Sequence, residues 1–293
     1  MARIGWGIAC LWLVWGCTAG EPETLPAGDA ARGEQIAAVA GGCGCHTPDG
    51  GPVGAGGVEI ETPFGVFYST NITSDPTHGI GSWSDIELEG ALRRGVLPDG
   101  STETPVMPYH LYAGMADRDI ADLIAWMRGL PASSKADLPH RVDLPFPRLA
   151  FRGWKMLFAP AVDAPAVAPS AGVERGRYLV DHVAICGDCH TPRNALGAPD
   201  PSLYLGGVID GPIGDVPNIT PDDVYGVGSW DEADMVALLA DGMLPDMDSV
   251  QGKMAEVVDG IAGGPGYFNA PESDLEAMAA YLRTVPPLGA PDS

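Results

Sequence analysis

Positive charge is scarce in this 293-residue chain: 16 Lys and Arg stand against 39 Asp and Glu, a formal net charge of −23. A field of that sign repels nucleic acid and anionic lipid surfaces and steers basic partners inward, so no nucleic-acid role is expected. Acidity of this kind also serves simply to keep an exported protein soluble. One stretch departs from it: across 140–155, Arg141, Arg148, Arg152 and Lys155 outnumber the single acid Asp143. That stretch suits contact with anionic groups or with a facing domain, or an ordinary solvated connector.

Long apolar runs are also missing. The only candidate, 4–14, follows a single basic residue, Arg3, and is too short to span a bilayer comfortably. It reads as a cleaved export signal over 1–16. Val14-Trp15-Gly16-Cys17 resembles a bacterial lipobox, with Trp15 an unusual occupant. Cys17 is therefore the candidate for lipidation, 17–27 the tether and the periplasmic side of a bacterial membrane the expected location; plain signal cleavage is the alternative. Spare cysteine is absent too. Of six cysteines, Cys10 would leave with the signal and Cys17 would be the anchor, and the other four fall into two clusters, so no disulfide framework remains to propose.

What the chain does have is one unit written twice. Asn71-Ile72-Thr73 recurs as Asn218-Ile219-Thr220, the GIGSW of 79–83 as the GVGSW of 226–230, Leu97-Pro98-Asp99 as Leu244-Pro245-Asp246, and Met107 as Met254. Each pair differs by 147, so the stretch aligns without a gap. Upstream of each copy lies a Cys/His cluster, Cys43-Gly44-Cys45-His46 and Cys186-Gly187-Asp188-Cys189-His190. The second is C-x-x-C-H, the signature of covalent c-type heme attachment. Two thiols add across the two vinyl groups of a heme, the adjacent histidine stands under the iron, and a methionine thioether on the other side raises the reduction potential. A lone C-x-x-C-H also fits a redox dithiol or half of a zinc site. Zinc, however, wants four ligands held close, whereas each cluster here lies in its own repeat with its own distal methionine.

The periodicity predicts helices and no sheet: an all-α protein of two tandem small helical domains, each wrapped around one heme. Asp29 is placed to cap a helix running to about Ala40, with a counterpart over 173–185; closing helices are expected over 117–128 and 273–284, the latter with a capping box of Ser273 and Glu276. Gly33 and Gly176 are expected to let the first helix of each copy cross closely over the last, near Trp126 and Tyr281. Between cluster and Trp the chain is rich in Gly, Pro and Asn, which argues for loops around a large rigid ligand. The Ala/Pro/Val run of 159–171 favours extended geometry. Domain boundaries follow at 28–158 and 173–286, with a linker over 159–172 and a tail over 287–293; the apolar 138–158 is assigned to the tail of the first domain.

Competing ligands can be weighed. Met115 and Met127 suit apolar packing, and Met243 and Met247 fall opposite Val96 and Gly100, so Met254 is the methionine that matches Met107. His78 and His110 have Tyr225 and Val257 at the matching places and read as surface or loop histidines. Asn71 and Asn218 are candidates for hydrogen bonds to heme propionates or to turn backbone. Trp83 and Trp230 are as suited to plain core as to a heme edge and receive no chemistry.

The chain resembles diheme c-type cytochromes related to the cytochrome subunits of membrane-associated alcohol and gluconate dehydrogenases. The residues that carry the resemblance are CHTP at 45–48, NITSD at 71–75, GIGSW at 79–83, MPY at 107–109, CGDCHTPRN at 186–194, NITPD at 218–222 and GKMAEVV at 252–258, within 28–286. It implies two tandem cytochrome c-like helical domains and two covalent hemes c, His46 and Met107 binding one iron and His190 and Met254 the other, with Cys186 and Cys189 attaching the second heme. The expected function is electron transfer from a dehydrogenase or other donor to a terminal oxidase or other acceptor, the protein itself not an enzyme. A diheme peroxidase is the alternative from another class, though it needs an open iron position; a fixed relay subunit of one complex is a further one.

The first cluster is irregular. Arg32 and Arg175 differ by 143, as do Cys43 and Cys186, but His46 and His190 differ by 144, so one residue is missing between Cys43 and Cys45. Cysteines two apart on a helix point roughly 200° away from each other. The first heme is therefore expected to hang mainly from Cys45, with Cys43 free or attached in a distorted loop; two ordinary thioethers are the alternative.

Overall fold

The computed structural model describes residues 24–290. The expected signal and Cys17 lie outside the described residues. The described chain is mainly helical: α1 Ala30–Val39, α2 Asp85–Arg94, α3 Tyr109–Tyr112, α4 Asp117–Met127, α5 Pro147–Phe158, α6 Gly172–Tyr178, α7 Gly187–His190, α8 Glu232–Asp241, α9 Gly252–Asp259 and α10 Glu272–Leu282. None is long and apolar enough to cross a membrane.

The organising contact occurs twice, once in each half of the chain. Asp29 caps α1 by accepting the Ala31 and Arg32 amides, and α1 then crosses α4 at Gly33, where an added Cβ would lie 1.9 Å from the Asp122 carbonyl oxygen and 2.8 Å from Trp126 Cβ. In the second half α6 crosses α10 at Gly176, 1.8 Å from the Ala277 oxygen and 2.8 Å from Tyr281 Cβ by the same measure. Asp122 and Ala277 differ by 155, as do Trp126 and Tyr281. The glycine crossings are those expected.

Other expectations need correction. The helix sought over 173–185 is α6 followed by a wider turn, Leu179–Val183, in which the Ala184 amide reaches back to Leu179 O at 2.7 Å. α10 starts at Glu272 behind Pro271, so Ser273 sits inside the first turn and forms no capping box. The boxes lie instead on Ser84 with Glu87 and on Asp231 with Asp234, 147 residues apart, at the heads of α2 and α8. Nor is the chain wholly α-helical. β1 Glu59–Thr62 pairs antiparallel with β2 Gly65–Tyr68, which also pairs with β3 Arg141–Val142, while β4 Val208–Gly211 pairs with β5 Gly214–Val216. The Pro and Gly that suggested loops are the punctuation of two-residue hairpin turns, Pro63-Phe64 and Pro212-Ile213.

Ile36, Ile120, Ile124 and Met127 of the first half and Leu179, Val183, Met278 and Leu282 of the second belong to one continuous buried cluster. Met115 and Met127 are buried in it, in the packing role expected of them. Residues 159–171 form neither helix nor strand but do more than connect: Ala116 offers α4 no side-chain cap, and the Asp117 and Arg118 amides donate instead to Pro165 O and Ala166 O at 3.1 and 3.2 Å. α5 bridges the halves through one side chain. Trp154 is buried edge-on to Tyr109 and His110, and its indole N–H donates to Leu196 O at 3.1 Å. Most of its apolar neighbours stay in solvent, Phe146 at 81% and Met156 at 86% exposure, so the segment packs less fully than its composition suggests.

Candidate functional site

The two histidines are held in the same way. His46 Nδ1 lies 2.7 Å from Thr70 O and His190 Nδ1 lies 2.8 Å from Pro217 O, acceptors again 147 residues apart. A carbonyl accepts only, so Nδ1 carries the proton and the Nε2 lone pair is left for another partner. Burial holds both rings below the ordinary histidine pKa, partly opposed by these hydrogen bonds, and a neutral imidazole is what a metal requires. Each histidine is further pinned by its carbonyl, which accepts the Gly56 amide (2.8 Å) or the Gly207 amide (2.9 Å). The following threonine braces the turn: Thr47 Oγ1 accepts from the Gly54 amide at 3.1 Å and Thr191 Oγ1 from the Leu205 amide at 3.0 Å.

Cys43, Cys45, Cys186 and Cys189 are all free thiols. Burial pushes Cys43, Cys186 and Cys189 up to about 12 and raises Cys45 as well. The clusters are neighbours. An added Cβ on Gly42 would meet Pro265 O at 1.7 Å and one on Gly44 would meet Ile261 Cδ1 at 3.0 Å, so the first cluster's loop presses on the 261–266 segment. Between the clusters lie two phenols, Tyr112 half-buried and Tyr267 buried. Tyr112, its pKa raised first by burial, also senses Cys45, Cys43, Asp188 and Cys189; Tyr267, likewise raised by burial, hydrogen-bonds with Cys186. Tyr112 and Tyr267 differ by 155, the offset of the closing helices, so they are equivalent positions of the two copies; the 147-residue alignment sets them opposite Asp259 and Ile120 and left them unmarked.

Met107 is half-buried in a turn in which its amide donates to Thr104 O at 3.1 Å and its carbonyl accepts the Tyr109 amide at 2.8 Å. Met254 is half-buried on α9 and packs against the core, whereas Met243 and Met247 are 44% and 80% exposed. His78 is an exposed loop residue, as expected. His110 is not: only 7% exposed, it lies in α3 with both ring nitrogens unpartnered. The loop reading failed because α3 is too short to show a period.

Asn71 and Asn218 are buried straps. Asn71 Nδ2 donates to Ser133 O and Lys135 O at 2.8 and 2.9 Å, and Oδ1 accepts from the Thr73 amide and hydroxyl. Asn218 Nδ2 donates to Leu288 O and Gly289 O at 2.8 and 3.2 Å, and Oδ1 accepts from the Thr220 amide and hydroxyl. Of the two partners expected, propionate or backbone, their amides are taken up by backbone and threonine. Trp83 and Trp230 pack on the core, their carbonyls accepting from Arg128 at 2.7 Å and Arg283 at 2.6 Å. A buried ion pair went unread in the sequence: Arg93 Nε donates to Glu89 Oε1 at 2.9 Å and its Nη1 to Asp117 Oδ1 at 2.8 Å. Glu and Arg four apart look like a solvated helix face, and only packing shows them to be inside.

No family model matches the chain. A "Diheme cytochrome c-type" protein of Cereibacter sphaeroides is 40% identical over 294 residues, covering 96% of this chain and 94% of the relative. The "Fructose dehydrogenase cytochrome subunit" of Gluconobacter japonicus is 38% identical over 263 residues, 87% of this chain and 52% of the relative. The "Gluconate 2-dehydrogenase cytochrome c subunit" of Pantoea cypripedii is 36% identical over 278 residues, 89% and 60% respectively, so the chain spans little more than half the length of these dehydrogenase subunits. With a Cys/His cluster and a methionine repeated in its two halves and a relative alike over nearly its whole length, this chain belongs to the diheme c-type cytochromes.

Proposed function

We propose that the protein is a one-electron carrier with two covalently bound hemes c, working between a dehydrogenase or other donor and a terminal acceptor. The observation that carries this is the twin geometry of His46 and His190, each with Nδ1 on a backbone carbonyl and Nε2 left free. In this reading His46 and Met107 ligate one iron and His190 and Met254 the other, and the cysteines of each cluster attach the ring. Heme would supply an iron that changes oxidation state by one electron; held by a histidine and a methionine, it would keep no open position for substrate. The chain's own part is to hold the imidazoles neutral and oriented, and to set the two clusters side by side so that an electron has a short path between halves.

The dehydrogenase donor is supported by the names of the relatives, cytochrome subunits of fructose and gluconate dehydrogenases. The net charge of −23 favours a basic docking patch on the partner. Domains over 28–158 and 173–286, export, and a lipid anchor at Cys17 complete the proposal. The test is spectroscopic: the heme-loaded protein, reduced, is exposed to carbon monoxide and, oxidised, to hydrogen peroxide. Two low-spin hemes that take up neither promptly are expected; stoichiometric ligation of one heme would favour the peroxidase class.

A further inference from the structure

Cys43 holds the same place in its cluster as Cys186 does in the other, although the first cluster is one residue shorter. In the second, the His190 amide donates to Cys186 O at 3.0 Å, closing an ordinary α-helical turn; in the first, the His46 amide donates to Cys43 O at 2.8 Å, closing the tighter turn Gly44–His46. The missing residue is thus absorbed by a change of turn type, and the bond between the histidine amide and the first cysteine's carbonyl is kept. The backbone re-aims itself just upstream, where Gly41, Gly42 and Cys43 all have positive φ (74°, 65° and 61°). Glycine adopts that region freely and cysteine does not, so the turn is re-routed at the two glycines and at the cysteine itself. The surroundings match as well. Cys43 and Cys186 are the half-buried members of their pairs, and Cys45 and Cys189 the exposed ones.

Resting on the heme reading, we infer that Cys43 forms a second thioether to the first heme, so that the short C-x-C-H cluster attaches its ring by two bonds as the full-length cluster does. This favours the alternative over attachment mainly through Cys45, because the backbone does leave regular helical geometry at the cluster. In the step, the Cys43 sulfur bonds to the vinyl carbon next to the ring and the thiol hydrogen passes to the terminal vinyl carbon. One C=C becomes C–C, and no oxidant or reductant is consumed.

The experiment uses the full chain matured in a host that attaches c-type heme. Denatured in alkaline pyridine, a heme with an intact vinyl absorbs at longer wavelength than one with none. The wild type is expected to show no red shift, and Cys43→Ser and Cys45→Ser each to shift half of the heme by one vinyl. Peptide mass spectrometry after alkylation of the denatured wild type provides a readout independent of any variant's folding: Cys43 is expected to be unlabelled. A labelled Cys43, or a Cys43→Ser spectrum identical to a wild type already shifted to the red, overturns the inference. Absence of heme from the peptide bearing Cys186 and Cys189 would instead overturn the cytochrome reading itself.

Discussion

Tyr178 donates its hydroxyl to Asp119 Oδ2 at 2.8 Å and accepts the Ala116 amide at 3.0 Å, tying the first helix of the second half to the last helix of the first. Around this bond the ion pairs repeat: Arg32 lies 3.4 Å from Asp119, Arg175 lies 2.8 Å from Asp274, and Arg175 also reaches Asp119 at 3.8 Å. Replacing Tyr178 by Phe leaves a buried amide and a buried carboxylate each short of a partner, at a cost of about 1–3 kcal/mol. Because one core runs through both halves, urea unfolding of Tyr178→Phe should remain a single transition at a lower midpoint. Independent unfolding of the two halves in the wild type would contradict this.

The helix crossings set the steepest sensitivity to added volume. Gly33→Ala and Gly176→Ala place a methyl group within 2 Å of a backbone oxygen of the facing helix, which must then move away; a loss of about 3 kcal/mol or more is expected, at the upper end for overpacking. Gly153, on α5, has nothing within 4 Å of an added Cβ. Gly153→Ala should therefore stabilise by up to ~1 kcal/mol through helix propensity. Equal thermal midpoints for the three variants would refute the close crossing.

Acid should weaken the fold through His110. Burial lowers its pKa from 6.5 to about 4, with Asp188 acting to raise it and Arg193 to lower it further, and the rings packed around it, Tyr109 and Trp154, are uncharged. Between those values the unfolded chain binds a proton that the folded chain does not, so stability is full above pH 6.5 and falls as pH drops toward 4. The loss from this group is at most about 3 kcal/mol. His110→Phe should flatten the stability profile in that window; an unchanged slope would show that other groups govern it.

At the proposed second heme site, Met254→Ala is expected to leave heme attached at Cys186 and Cys189, to make that site high-spin and accessible to carbon monoxide, and to lower its potential. The exposed Met243 and Met247 should be replaceable by Ala without such change. The reverse pattern in the optical spectrum would mean that the gapless repeat alignment misassigns the ligand.

What the sequence determined by itself was everything that depends on short-range spacing. The Cys/His clusters and the helical stripe of Ile120, Leu123, Ile124 and Met127 were legible because each is carried by residue types within a turn or two of one another, and the 147-residue offset and the Gly33 and Gly176 crossings because short motifs, Arg-Gly among them, are written twice. Tertiary structure decided the rest. Whether Glu89 and Arg93 form a solvated pair or a buried one, whether His110 lies in a loop or inside, which atoms satisfy the amides of Asn71 and Asn218, and which residues lie between the two clusters depend on segments 20 to 100 residues away. A side chain's own period sets the face it occupies, but only the partner packed on that face sets its dielectric surroundings, and that partner leaves no mark in the local sequence.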